Sequence, residues 1–103
     1  MKMIKWASDI IAGNLREARK YINQAYELKE AYTQAAEWCK EMAAKHLDFN
    51  TKGHELTKKL IAEAEAKQSH LGPGMKAVYD DIHADMVREN AEIMAMINGF
   101  KTS

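Results

Sequence analysis

Two histidines and an asparagine recur at four-residue intervals in the middle of the chain. His46, Asn50 and His54 would form one slowly drifting line along a single helix. Imidazole nitrogens bind transition metals, and carboxylates from neighbouring helices complete the ligand sets of carboxylate-bridged metal sites. Asp80 and His83 have the i, i+3 spacing that lets two side chains on adjacent helical turns ligate one ion. These residue types favour a metal site, provided that the fold brings them together.

The elements that must position these side chains are long amphipathic helices. From Ile4 to Leu60 an apolar or small residue returns every three or four positions, and the single proline lies in the segment Gly72-Pro73-Gly74. This pattern predicts an all-α fold, an antiparallel bundle of three long helices within a single domain spanning residues 1–103. The expected helices cover residues 3–29, 33–69 and 73–99, and such thin helices favour completion of the core by oligomerisation.

The same spacing predicts which side chains face the core. On helix 1 the expected inward residues are Ile4, Ala7, Ile11, Leu15, Ala18, Ile22, Ala25 and Leu28. On helix 2 they are Ala35, Cys39, Met42, His46, Phe49, Gly53, Leu56, Leu60 and Glu63. On helix 3 they are Met75, Tyr79, Ile82, Met86, Asn90, Ile93, Ile97 and Phe100.

Folding the two hairpins with turns near residues 31 and 72 predicts which polar residues meet. His46 then faces Glu17 and, as a core histidine, would bond Asn14 or Glu17. One cross-section of the bundle holds several polar residues together. Its members are Asp9, Asn50, His54, Glu89 and Asn90. A metal site here would use His46, His54, Asp9 and Glu89 for iron, manganese or zinc. Asp80 and His83 fall opposite residues 60–64, away from His54, so only a symmetric dimer would add them.

The alternative reading of these polar residues is structural. Buried polar side chains in helical bundles often pair with one another and fix the register of the helices. His46 and His54 would then be hydrogen-bonded core residues, and Asp80 and His83 would be a solvated pair on the surface. In this reading the protein has no cofactor.

Composition excludes several classes of function. The 103 residues contain 15 basic and 15 acidic side chains, and this balance argues against nucleic acid as a partner. Cys39 is the single cysteine, which is typical of a reducing compartment such as the cytoplasm. No stretch approaches the length of a membrane span. Phosphate-binding loops, nucleophile elbows and two-cysteine zinc spacings are also missing, so the sequence favours a protein that is not an enzyme.

The C-terminal half of helix 3 is apolar on nearly all sides. Over residues 91–97 only Glu92 is polar, and a helix of this kind is usually covered from more than one direction. A bundle of three helices cannot cover helix 3 from a second direction, so we expect a homo-oligomer, a dimer or larger. The predicted interface residues are Ile93, Met94, Met96 and Ile97.

Three segments resemble a known family. They are residues 36–54 (AEWCKEMAAKHLDFNTKGH), residues 75–79 with His83, and residues 91–97. Together they are similar to small helical proteins encoded among phage and prophage genes of gut and clostridial bacteria, often described as ferritin-like. The resemblance implies long antiparallel helices and a phage context, but no reaction. Ferritin-like sites use Glu-x-x-His, and Thr51 occupies the position of that glutamate before His54.

The sequence therefore supports two functional hypotheses. The favoured one is a non-enzymatic, self-associating helical bundle with a structural or protein-interaction role, encoded by a phage or prophage. The alternative is a ferritin-like protein that binds metal at a di-iron or di-manganese carboxylate site.

Overall fold

The protein consists of three helices joined in chain order. The computed structural model describes the backbone of residues 2–66 and 73–101, and the side chains of residues 5–63 and 80–101. The helices are α1 (Lys2–Leu28), α2 (Thr33–Ala66) and α3 (Pro73–Gly99), and the described residues contain no strand. The predicted all-α bundle of three helices is confirmed.

The junctions between helices follow from local sequence. At the α1–α2 turn the amide of Tyr32 donates to the carbonyl of Leu28 at 2.7 Å, and the amide of Ala36 donates to the carbonyl of Tyr32 at 2.9 Å. Pro73 begins α3, where its missing amide hydrogen would have no partner within the helix. The expected end of α2 near residue 69 and the stop at Gly72 lie outside the described residues.

The core is built mainly between α1 and α2. Alanines with no exposed surface face each other along this contact: Ala18 and Ala25 from α1, Ala36 and Ala43 from α2. Because alanine has no side chain beyond its β-carbon, it lets two helix backbones approach closely. The remaining core positions are filled by larger residues: Ile11, Leu15, Ile22, Cys39 and Leu47, with Ile93, Ile97 and Phe100 from α3.

The predicted core face of α1 is the observed one, but the predicted face of α2 is wrong. Ala35, Phe49, Leu56 and Glu63 are exposed. The face of α2 that turns inward lies about a quarter of a turn away and carries Ala36, Cys39, Ala43, Leu47, Asn50 and Thr57. On α3, Ile82 is 39% exposed although it was expected in the core. The expected positions Ile4, Met75 and Tyr79 lie outside the described side chains.

Polar contacts fix α3 alongside α1. The guanidinium of Arg19 donates through Nε to Glu89 and through Nη2 to Glu92, the latter at 2.8 Å. Two turns beyond Arg19 on α1 and one turn beyond Glu92 on α3, the hydroxyl of Tyr26 donates to the carbonyl of Met96 at 2.8 Å. The two helices therefore run parallel, and α3 covers only one side of the antiparallel α1–α2 pair. The molecule is a rod with extents of 56 × 18 × 18 Å.

The four residues predicted as an interface have different environments. Ile93 and Ile97 are buried in the core of the chain itself, Met96 packs against that core, and Met94 is 42% exposed. The apolar end of α3 is thus largely covered within one chain. Within the described residues, no helix combines the length and the apolar content needed to cross a membrane.

The register of α2 can be tested with two leucines. Leu47 is 2% exposed and Leu56 is 51% exposed. We expect Leu47→Ala to lower the free energy of unfolding by about 2–5 kcal/mol, because it leaves a cavity in the core. Leu56→Ala should cost less than about 1 kcal/mol in the monomer. Urea denaturation of both variants, at a protein concentration where light scattering shows a monomer, measures this, and equal losses would contradict the register.

Candidate functional site

The central feature of the site is a direct contact between two histidines. His54 of α2 and His83 of α3 have their Nε2 atoms 2.9 Å apart and their ring centroids 4.5 Å apart. The expectation that His83 lies opposite residues 60–64 was wrong. The expectation assumed a tight turn near residue 72, and the observed contact between His54 and His83 shifts the pairing of α3 with α2 by about two helical turns from that assumption.

The contact restricts the protonation of the two rings. A hydrogen bond between two Nε2 atoms requires one ring to donate and the other to accept, so at least one ring is neutral. Burial lowers the pKa of the His54 imidazole below its ordinary value. The nearby positive charges of His83 and Lys58 lower this pKa further, while Glu55 opposes them. The site therefore favours a neutral His54 at neutral pH.

A small cavity lies against the histidine pair. Its volume is about 10 Å³, close to the smallest that admits one water molecule. It is lined by Ser8, Ile11, His54, Thr57, Ile82, His83 and Met86. The hydroxyl of Thr57 donates to the carbonyl of Gly53 at 2.9 Å. The other polar atoms on the lining residues are the imidazole nitrogens of His54 and His83, the thioether sulfur of Met86 and the hydroxyl of Ser8.

A larger cavity of about 140 Å³ lies one turn away. It shares His54 and Met86 with the small cavity and is also lined by Asn50 and Asn90. Asn50 is 4% exposed, and neither its amide nitrogen nor its oxygen has a hydrogen-bonding partner in the described part of the chain. A buried polar group without a partner costs about 1–3 kcal/mol. Asn50 therefore destabilises the fold at this position unless a polar molecule in the cavity forms hydrogen bonds with its amide.

The other predicted histidine, His46, has a structural role. Its Nδ1 lies 2.9 Å from Oδ1 of Asn14, which is one of the two partners expected from the sequence. Its ring stacks on Tyr21 with centroids 5.5 Å apart. The Asn14 contact fixes the register between α1 and α2 at this level. His46 lies on the side of α2 that faces away from α3, so it does not meet His54 and His83.

The predicted carboxylate ligands do not join the histidines. Glu89 pairs with Arg19, and the hydrogen bond from Arg19 lowers the pKa of Glu89. Asp9 and Asp80 are exposed. In the regions whose side chains are described, no three residues among His, Cys, Asp and Glu lie close enough to hold a metal ion. Of the polar residues expected in one cross-section of the bundle, Asn50, His54 and Asn90 do line one cavity.

Sequence reasoning missed two functional candidates. The first is the pairing of His54 with His83, which depended on the offset of α3 along α2. The second is Met86, which was taken as core; it lies three residues after His83 and lines the same cavity. The i, i+3 spacing of His83 and Met86 was the available signal, because it places both side chains on one face of α3.

Known proteins give no further guide to this site. No protein-family model, no curated protein and no solved structure matches the chain. The assignment of function therefore depends on the geometry of the chain itself.

The cost of burying Asn50 can be measured by replacing it with leucine. We expect Asn50→Leu to raise the free energy of unfolding by about 1 kcal/mol or more, because it removes an unpaired amide and fills part of the cavity. Asn23→Leu is the control, since Asn23 is exposed on α1 and should change stability by less than about 0.5 kcal/mol. Thermal or urea unfolding gives both values, and a loss of stability in Asn50→Leu would show that the amide has a partner.

The lowered pKa of His54 predicts a pH dependence of stability. The unfolded chain binds a proton at the ordinary histidine pKa, about 6.5, whereas folded His54 does so only at lower pH. Its contribution is therefore complete above about pH 6.5 and is lost as the pH falls below that value. We expect wild-type stability to fall as the pH decreases below about 6.5, and the stability of His54→Gln to fall less steeply. Parallel slopes for the two proteins would contradict the assignment.

Proposed function

We propose that the protein is a non-enzymatic helical bundle that pairs with a second copy of itself and has a structural or protein-interaction role. The observation that carries this proposal is an apolar surface on the side of the α1–α2 pair opposite α3. We call it the open face and define it by Trp6, Ile10, Trp38, Phe49 and Leu56. Each of these side chains is between 43% and 60% exposed.

On α2, the open-face residues Phe49 and Leu56 continue a line that begins at the half-buried Met42. Met42, Phe49 and Leu56 are spaced at seven residues, so they lie one above another along the helix. His46 and Gly53 lie between this line and the core, and both contact α1: His46 through Asn14, and Gly53 where a β-carbon would lie 3.5 Å from Ile11. The line therefore runs along the groove between α2 and α1.

The α1 part of the open face borders the same groove. Asn14 and Tyr21 contact α2 from this side, Asn14 through His46 and Tyr21 by an edge-on contact with Trp38 at 5.7 Å between centroids. Ile10 precedes Asn14 by four residues and Trp6 precedes Ile10 by four, so both continue the line of Asn14. A surface cavity of about 250 Å³ opens in this groove beside Met42 and Phe49.

The spacing of the open face fits a second copy of the chain. In an antiparallel pairing of two α2 helices about a two-fold axis at Phe49, Phe49 meets its own copy and Met42 meets Leu56. Trp38 and Leu60 are related in the same way. A surface that is complementary to itself is what a two-fold interface requires. Exposed apolar patches of this kind typically mark sites of association.

This proposal moves the interface from α3 to α1 and α2. The expected interface residues Ile93 and Ile97 are already covered within the chain, whereas the large apolar side chains of the open face stay about half exposed among the described residues. The resemblance of residues 36–54 to phage-encoded helical proteins is in keeping with an assembly role. It includes Phe49 at the proposed two-fold axis.

The proposal predicts that a charge at Phe49 prevents pairing. We expect the wild-type chain to have at least twice the monomer mass by light scattering, and Phe49→Glu to have the monomer mass with the same helical content. Desolvating a carboxylate at the centre of an apolar interface costs several kcal/mol. The measurement is light scattering after size exclusion, with circular dichroism on the same samples.

Val87→Glu is the matched control for this experiment. Val87 is 52% exposed and lies on α3, away from the open face, so its variant should keep the wild-type mass. A monomeric wild-type chain would refute self-association. An oligomer that survives in Phe49→Glu but dissociates in Val87→Glu would place the interface on α3.

A further inference from the structure

Three side chains with metal-binding atoms line the small cavity between α2 and α3. His54 and His83 supply imidazole nitrogens that are already 2.9 Å apart. Met86, on the turn of α3 that follows His83, lines the same cavity and carries a thioether sulfur. The cavity is remote from the open face, because α3 packs on the other side of the α1–α2 pair.

We propose that His54, His83 and Met86 bind a single copper(I) ion. The site is a different one from the carboxylate-bridged di-metal centre considered from the sequence, and it does not depend on self-association. It uses two neutral nitrogen ligands and one neutral sulfur ligand.

The geometry of the histidine pair is close to that of two ligands on one ion. Imidazole nitrogens bind transition metals at about 2.0–2.1 Å, so two of them on a tetrahedral or trigonal ion lie about 3.3–3.6 Å apart. The observed separation of 2.9 Å requires the rings to part by only about half an ångström. The cavity of about 10 Å³ beside them is of the size that one ion occupies.

The chemistry of the ligand atoms selects copper(I) over other ions. Thioether sulfur is a soft ligand that favours copper(I), whereas magnesium, calcium and manganese favour oxygen ligands. Within the described side chains, no third His, Cys, Asp or Glu joins the pair.

The protein environment keeps the ligands ready to bind. His54 and His83 already contact each other, so little rearrangement brings both rings to one ion. His83 and Met86 sit on adjacent turns of α3 and His54 on α2, so an ion would tie these two helices together.

The test is a competition for copper(I) under anaerobic conditions with the full chain. The probe is copper(I) held by the chromogenic chelator bicinchoninate. We expect the wild-type protein to withdraw one copper(I) per chain. Met86→Leu should bind at least ~10-fold more weakly, the loss that corresponds to about 1.4 kcal/mol. Leucine conserves the volume of methionine, so the bundle should stay folded by circular dichroism.

Met94→Leu is the matched control, since Met94 is an exposed methionine of the same helix. It should bind copper(I) as tightly as wild type, and His54→Gln and His83→Gln should each lose the site. X-ray absorption at the copper edge of the wild-type protein should show two nitrogen scatterers and one sulfur scatterer. Failure of the wild type to compete, equal affinities for Met86→Leu and Met94→Leu, or no sulfur scatterer would each overturn the proposal.

Discussion

The close contact between α1 and α2 through alanine is the constraint on which the rest of the structure depends. Ala18 and Ala25 on one helix and Ala36 and Ala43 on the other have no exposed surface. Alanine lets helices approach closely but buries little apolar area, so larger side chains must provide most of the buried apolar area at this contact. Ile22 and Leu47 provide it within the pair, and Ile93 provides it from α3. The third helix is therefore part of the core.

One added helix can cover only one side of a helical pair. Arg19 and Tyr26 hold α3 on that side through Glu89, Glu92 and the carbonyl of Met96. The opposite side keeps its apolar side chains in contact with solvent. The two functional proposals thus arise from the same arrangement: association on the side that α3 leaves uncovered, and ion binding on the side where α3 meets α2.

The sequence predicted the fold class and the α1 face because α1 has a single apolar line. It failed on α2 because that helix carries two. Ala36, Ala43 and Leu47 form the line that is buried, whereas Met42 and Phe49 form one that is largely uncovered. Periodicity alone cannot rank two apolar lines on one helix, since the choice is made by the partner helix. The larger side chains were preferred, but close packing selected the small ones.

The site was harder to predict than the fold because it depends on how far each helix is offset along its neighbour. Asn14 was one of two partners named for His46, and the error in facing position was less than one turn, since the α1–α2 turn is short and its position at residues 29–32 was nearly known. His83 and His54 were separated by an error of about two turns, since no residue in the sequence fixes the offset of α3 along α2. An error in that offset changes every pair between the two helices.

The placement of aromatic residues gives the molecule an asymmetric optical signature. The chain has two tryptophans, and Trp6 and Trp38 both lie on the open face, with 60% and 54% of their surface exposed. Indole emission shifts to shorter wavelengths when water leaves its surroundings. The intrinsic fluorescence of this protein therefore reports on the groove between α1 and α2, and no described residue gives the side occupied by α3 a comparable fluorophore.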